Sequence, residues 1–489
     1  MAAVRRILIG VLTLVAAVAA IVFARAWRLQ PAPVSDPPAA SIAFDPDSAA
    51  ARLAAAIQVP TVSRDGAAAD TAAFAEIARR LETMFPRAHA ALARETVGAG
   101  SLLYEWRGRD TTAAPVLLLA HLDVVPAEED RWTRHPFIGA VDGGYVWGRG
   151  ALDDKAGALA ILEAVEALLA AGFEPRRSVL LAFGHDEEVG GGDGAARMGA
   201  LLAERGVRPG IVLDEGYAVL QGLAPGLEGP VAMVGIQEKG SVSVDLVARG
   251  PGGHSSMPPR ETATLILARA LLRLGDHRPE TRLAGSVEAT FEALAPHMDL
   301  TYRALFGNLW LFRPLIVRIL STSPESNALV RTTTAPTMLE GSPKENVLPE
   351  TARAVVNFRI HPADSVAGIL AHVARTVDDP RVEIVLRGGF GTEASPAAPD
   401  SGAAWELLSR SIRQTLGTGV VAPGLVVGAT DARHYVHLTD AVYRFLPLRL
   451  SSENLPRVHG VDERIAVDEY ARMIRFYAQL LVNAQDGLP

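Results

Sequence analysis

Apolar and polar positions follow three different patterns along this chain, and each pattern predicts its own kind of element. The first is no period at all: ILIGVLTLVAAVAAIVF (7–23) is an uncharged run of 17 residues behind Arg5 and Arg6. As a helix it reaches roughly 26 Å at ~1.5 Å per residue, near the short end of what crosses a bilayer. Two readings stay open: a retained anchor, or a signal peptide cut at Ala24-Arg25-Ala26. Arg25 and Arg28 flank the far end, so the charge asymmetry favours the N-terminus inside only weakly. Either way, the rest of the chain is expected outside the cytosol. Residues 29–46 carry five prolines and read as an extended linker.

Beyond the linker, helical and strand periods alternate. Helical spacing covers 47–58, 70–84, 155–171 and 194–205, and Gly172 suits a helix C-terminus. Between them, PVLLLA (115–120), SVLLAF (178–183) and IVLDE (211–215) are short, nearly continuous apolar runs. Such runs are buried on both faces, so the alternation predicts an α/β domain around a mostly parallel, twisted sheet. Near residue 237 the pattern changes. GSVSVDLVARG (240–250) and ARAVVNFRI (352–360) alternate apolar with polar residues, as strands covered on one face do. With helices at 262–274 and 364–377 and the strand VEIVLR (382–387), they predict an inserted α+β unit of the split βαβ kind. The chain then returns through helices 402–416 and 467–483. The expected division is 1–28 anchor or signal segment, 29–46 linker, 47–236 and 391–489 catalytic domain, and 237–390 lid and dimerisation domain. The stretch 275–351 looks irregular. Its FGNLWLFRPLIVRIL segment (306–320) reads as core of an enlarged lid, with a wall for an acyl chain or a membrane contact as the alternatives.

Composition narrows the chemistry. The 489 residues, 49% of them hydrophobic, are enough for two or three domains with cores. A net charge of -8 and the lack of any basic stripe argue against a nucleic-acid surface. The chain has no Cys, which excludes disulfides, thiolate metal sites and a Cys nucleophile.

Acids and histidines gather where strands end, the place where open α/β sheets build active sites. His121 closes one apolar run, and Asp123 is placed to accept from its second ring nitrogen. A Gly-rich turn (148–150) leads to Asp153-Asp154 at a helix start. Glu187-Glu188 follows the next strand; one can bind a metal while the other acts as general base. Asp214 ends a further strand, and His459 precedes the terminal helix. Taken singly, each has an ordinary structural explanation. Hard and borderline ligands together suit Zn²⁺ or a similar ion.

In order, HLDVVP (121–126), GRGALDDKAG (148–157), GHDEEVGG (184–191), VLDEG (212–216), GPGGHSSMP (250–258) and VHGVDE (458–463) resemble metallopeptidase family 20. That family includes aminoacylases, carboxypeptidase S and succinyl-diaminopimelate desuccinylase. The match runs from about residue 45 to the C-terminus, and the N-terminal segment and long insert resemble the carboxypeptidase S branch with its N-acyl-amino-acid hydrolases. The resemblance implies two Zn²⁺ ions, with Co²⁺ or Mn²⁺ as substitutes. Asp153 would bridge them, one ion also taking His121 and Asp214, the other Glu188 and His459. It makes Glu187 the general base and Asp123 the orienter of His121. It also implies a cis peptide after Asp153, and His254 reaching the developing oxyanion, sometimes from a partner subunit. Asn327, Arg359 and Arg433 resemble positions that hold a substrate's polar groups and carboxylate. The implied activity is hydrolysis of an amide beside a free carboxylate, in a small peptide or an N-acyl amino acid, by a chain that pairs through its lid. A tethered, non-catalytic binding protein of the same fold and a deacetylase of other N-acyl compounds are the alternatives.

Overall fold

A computed structural model of the chain describes residues 2–222, 226–227 and 229–488. Its centre is an eight-stranded sheet. In spatial order the strands are Ala93–Val97, Ser101–Trp106, Val179–Gly184, Val116–His121, Ile211–Gln221, Val442–Leu450, Pro230–Glu238 and Val420–Val426. The middle pairings are parallel, whereas the pairings of the first three strands and those between Pro230–Glu238 and its inner neighbours are antiparallel. The expected mostly parallel sheet is therefore a mixed sheet with a parallel centre.

The two-sided burial follows from the period of a strand. Successive side chains leave opposite faces. Leu118 and Ala120, with Leu181, Phe183 and Leu213, join the larger core. Their neighbours Leu117, Leu119, Leu180 and Val212 join a second core on the other face. The helices Pro46–Ile57, Lys155–Ala170, Ala403–Leu416 and Val467–Gly487 cover the first face, and Ala195–Glu204 covers the second. Asp45 and Asp70 cap the helices at Pro46 and Thr71, each accepting two backbone N–H bonds.

The insert is divided. Strands Gly240–Arg249, Thr333–Glu340, Thr351–Ile360 and Val382–Leu386 form an antiparallel sheet, with Gly240–Arg249 and Thr351–Ile360 at its centre. Helices Ala263–Asp276 and Val366–Val377 pack on one face of it around their own core. The stretch between them is not irregular: it forms the helices Gly285–Leu294, Leu300–Phe306, Leu309–Leu320 and Pro324–Val330. Leu294 and Met298 pack on Val231, Met233 and Ala422, so this part covers the end of the main sheet rather than the lid sheet. The 306–320 segment is not lid core. Asn308, Leu309 and Ile316 are buried, while most of its large apolar residues face outward or are half-buried.

Candidate active site and metal centre

His121 is the last residue of its strand, and its ring is fully buried. Nδ1 donates to the Asp123 main-chain oxygen at 3.0 Å, with the Asp123 carboxylate 3.4 Å away. That bond fixes the tautomer and turns Nε2 toward a set of acids. Nε2 lies 2.8 Å from Asp153 Oδ1 and 3.5 Å from Glu215 Oε1. The other oxygen of Asp153 lies 2.9 Å from His459 Nε2, which is also 3.2 Å from Glu188 Oε1. One carboxylate thus stands between two imidazoles, and each imidazole has a second acid of its own.

Local pairing explains how residues three hundred positions apart converge. Strand Arg464–Ala466 pairs with Tyr145–Trp147, and Gly148 N donates to Glu463 O at 2.9 Å. This lays the His459 loop against the Asp153 turn. Glu463 then fastens the two: its buried carboxylate accepts from the backbone N–H of Gly150, Leu152 and Asp153, and pairs with Arg149 at 2.6 Å. Arg149 in turn donates to the His459 carbonyl. The Asp153–Asp154 peptide is cis. On the far side, the Asp123 carboxylate accepts from the N–H groups of Glu187 and Glu188 and so holds that turn beneath the site. At Gly191, with φ +67, a Cβ would stand 2.1 Å from Asp431 Oδ1, which explains a glycine in that turn.

The structure departs from the expectation for Asp214. Its carboxylate accepts from Ala432 N at 2.6 Å and Glu215 N at 3.0 Å, and it is not among the side chains facing His121. Glu215 takes that position, because adjacent residues of a strand point to opposite faces. Sequence reasoning missed Glu215, Glu463 and Arg149, although all three lie inside the blocks that carry the resemblance.

Burial and crowding set the protonation of this set. Burial and neighbouring Asp153 push Glu215 up to about 8. Glu187 is also raised, by burial and by Glu215, Asp431 and Asp153. At Asp153 burial acts upward, but hydrogen bonds from His121 and His459 outweigh it and hold the carboxyl low. Asp153 and Glu188 raise His459 to about 10. Burial and crowding thus favour neutralising Glu187 and Glu215, which a bound cation would also do. The donors fit one. Ligand atoms of His121, Asp153 and Glu188 lie within 4.8 Å of one another, as do those of His121, Asp154 and Glu215. Glu188 Oε1 is buried and, among the described residues, makes no hydrogen bond beyond its 3.2 Å approach to His459. Nitrogen and carboxylate oxygen without sulfur is a zinc-type set.

Of the expected substrate-holding residues, Arg359 is lowered by burial and then by the charge of Arg433. Arg433 donates to Gly190 O at 2.7 Å, two residues past Glu188. Lys239, also unforeseen, is lowered to about 8 by burial and by Arg359. Its Nζ donates to the carbonyls of Ala328 and Arg331, on either side of the end of the helix carrying Asn327. Lys239, Ser241, Thr392 and Arg433 line one cavity of about 190 Å³. His254 is not brought to the metal centre: it is exposed, in a two-residue strand pairing with Val347–Leu348, its ring bonded to Ser256.

Comparison with known proteins fits this geometry. The model of peptidase family M20/M25/M40 matches residues 117–483. The chain belongs to peptidase family M20. It is a hydrolase of amide bonds in a metal-dependent family, which removes the non-catalytic reading. It is 42% identical to the Xenopus tropicalis N-fatty-acyl-amino acid synthase/hydrolase PM20D1 over 89% of this chain and 86% of that one. It is 31% identical to Saccharomyces cerevisiae carboxypeptidase S over 91% and 86%. Among solved structures, the M20 metallo-carboxypeptidase Sso-CP2 of Sulfolobus solfataricus superposes with a TM-score of 0.65 at 18% identity, covering 88% of this chain and 97% of that one. Human carnosine dipeptidase 1 does so with 0.62 at 16%, covering 90% and 96%.

Proposed function

We propose that this M20 hydrolase is a dinuclear zinc enzyme that cleaves the amide of N-acyl amino acids, with C-terminal residues of small peptides as the related substrates. The observation that carries the metal pair is Asp153, whose two oxygens face two different imidazoles. His121, Asp153 and Glu215 would hold one ion, and His459, Asp153 and Glu188 the other. Bound there, the ions would polarise the scissile carbonyl and make the attacking water more acidic. Glu187 takes the proton of that water and delivers it to the leaving nitrogen. Asp123 keeps the Glu187-Glu188 turn in place through two backbone hydrogen bonds. Lys239, Arg359 and Arg433 supply the positive field for the substrate carboxylate, with an Arg fork suited to bidentate contact. Asn327, on the helix tied to Lys239, would add a polar contact to the same substrate.

His254 would serve the oxyanion of a second copy, the chains pairing through their lids. Strand Thr333–Glu340 lies at the edge of the lid sheet with Leu339 70% exposed, a surface suited to such pairing. The N-terminal helix is, over Ala3–Arg28, long and apolar enough to cross a membrane. We read it as an anchor that holds the enzyme outside the cytosol. The acyl preference rests on the likeness to the N-fatty-acyl-amino acid hydrolase. The deciding experiment is Glu187→Gln with metal content measured in parallel. Turnover is expected to fall at least ~10²-fold, the usual worth of a general base, with two zinc equivalents retained. Near-normal turnover in the loaded variant would refute the assignment.

A further inference from the structure

The helix Leu309–Leu320 turns an apolar face to solvent beside the N-terminal helix. Leu309 and Ile316 point inward. At 100° per residue the opposite arc holds Trp310, Leu311, Pro314, Leu315, Arg318 and Ile319, all exposed. Trp310, Leu315 and Ile319 show 56%, 48% and 50% of their surface. Exposing three large apolar side chains on one short helix is unfavourable in water and calls for an apolar partner.

The N-terminal helix indicates what that partner is. Its first part stands free of the protein body, and only its last turns rest on it. Val22 and Ala26 are buried, and Val18 and Leu29 half-buried, along one stripe. That stripe packs on Leu300–Phe306, and Leu29 meets Gly307. Asn308, the residue before the outward-facing helix, donates from Nδ2 to Val22 O at 3.3 Å. Trp310 Nε1 donates to Asn308 Oδ1 at 3.2 Å. The uncharged part from Ile7 to Ile21 measures roughly 22 Å at ~1.5 Å per residue, and Arg5 and Arg6, snorkelling at its far end, carry it toward the ~30 Å of a hydrocarbon core. The edge of that core then falls at Val22, the level of Asn308 and Trp310. Tryptophan favours this boundary, and Arg25, Arg28 and Arg318 suit the headgroups next to it.

We propose that the outward face of Leu309–Leu320 is a bilayer contact surface, lying at the headgroup boundary beside the point where the N-terminal helix leaves the membrane. It rests on the retained anchor of the proposed function and adds a second, in-plane attachment. The chain then continues into Pro324–Val330, the helix fastened to Lys239 beside the candidate carboxylate subsite. An amphiphilic N-acyl amino acid dissolved in the membrane would meet the enzyme on this side.

The test uses the full chain reconstituted in phosphatidylcholine–phosphatidylglycerol vesicles whose acyl chains are brominated near the headgroup. Wild type and Trp310→Phe are compared for co-flotation and for tryptophan quenching. Co-flotation of both, with the variant losing a share of the quenching, is the expected result. A Leu315→Asp/Ile319→Asp variant should lose the same share while keeping its metal content and its rate on a short-acyl, water-soluble substrate. Co-flotation with equal quenching in wild type and Trp310→Phe would overturn the contact surface and leave the anchor standing. Failure to co-float would overturn both. If the double variant keeps the quenching but loses self-association, the face binds a second copy and the proposal is likewise overturned.

Discussion

At the residue scale, Asp214 and Glu215 show how little separates a ligand from a support. They are neighbours in one strand and both acidic, yet one accepts from Ala432 N while the other faces His121. Glu215→Gln should therefore cost one zinc equivalent by elemental analysis and most of the turnover. Asp214→Asn should retain both metals, because the amide oxygen still accepts from Ala432 N; its signature is lower stability, since the NH₂ then faces the Glu215 N–H donor. If Asp214→Asn lost the metal and Glu215→Gln kept it, the proposed ligand set would be wrong.

At the element scale, buried and exposed ion pairs do different work. Glu238 closes the strand Pro230–Glu238 and accepts from both the N–H and the hydroxyl of Thr430, so it positions the loop that carries Arg433. Arg444, fully buried in the neighbouring strand, pairs with it at 3.1 Å. Arg444→Met leaves Glu238 buried and unpaired, which should lower stability by ~3–5 kcal/mol in urea unfolding. Adding Glu238→Gln should return part of that loss. The lid carries an exposed network instead: Glu261 pairs with Arg269 and Arg381, which hold its carboxyl down at about 2. A depressed carboxyl stabilises above its ordinary value of 4.5 and loses that contribution as pH falls toward 2. Thermal melts of Glu261→Gln should match wild type more closely at pH 2 than at pH 6, and high salt should shrink the difference at pH 6.

At the scale of the whole molecule, the candidate metal centre joins segments on both sides of the insert. His121, Asp153, Glu188 and Glu215 precede the insert in the chain and His459 follows it. Metal bound there stabilises only the folded chain. Chelation should abolish hydrolysis and lower Tm together, and zinc should restore both. Hydrolysis that persisted with metal removed below a tenth of an equivalent would exclude the proposed mechanism.

How much of this was legible in the chain depends on the kind of order involved. The repeating apolar runs marked three adjacent inner strands and their burial on both faces, because burial acts on every second residue of a strand and every third or fourth of a helix. The blocks around His121, Asp153, Glu187 and His459 marked the site, because short motifs survive as local sequence. The strands Val420–Val426 and Val442–Leu450 escaped notice, since PGLV and RFLPLR carry Pro, Gly and Arg where a strand pattern expects apolar residues. Arg444 is acceptable there only because Glu238 meets it from another strand. Tertiary structure alone decided that Glu215 rather than Asp214 faces His121, that Glu463 pins the Asp153 turn, and that Leu309–Leu320 presents its apolar side outward. Each of those outcomes depends on which partner lies across a gap in space, and periodicity along one chain carries no information about a partner hundreds of residues away.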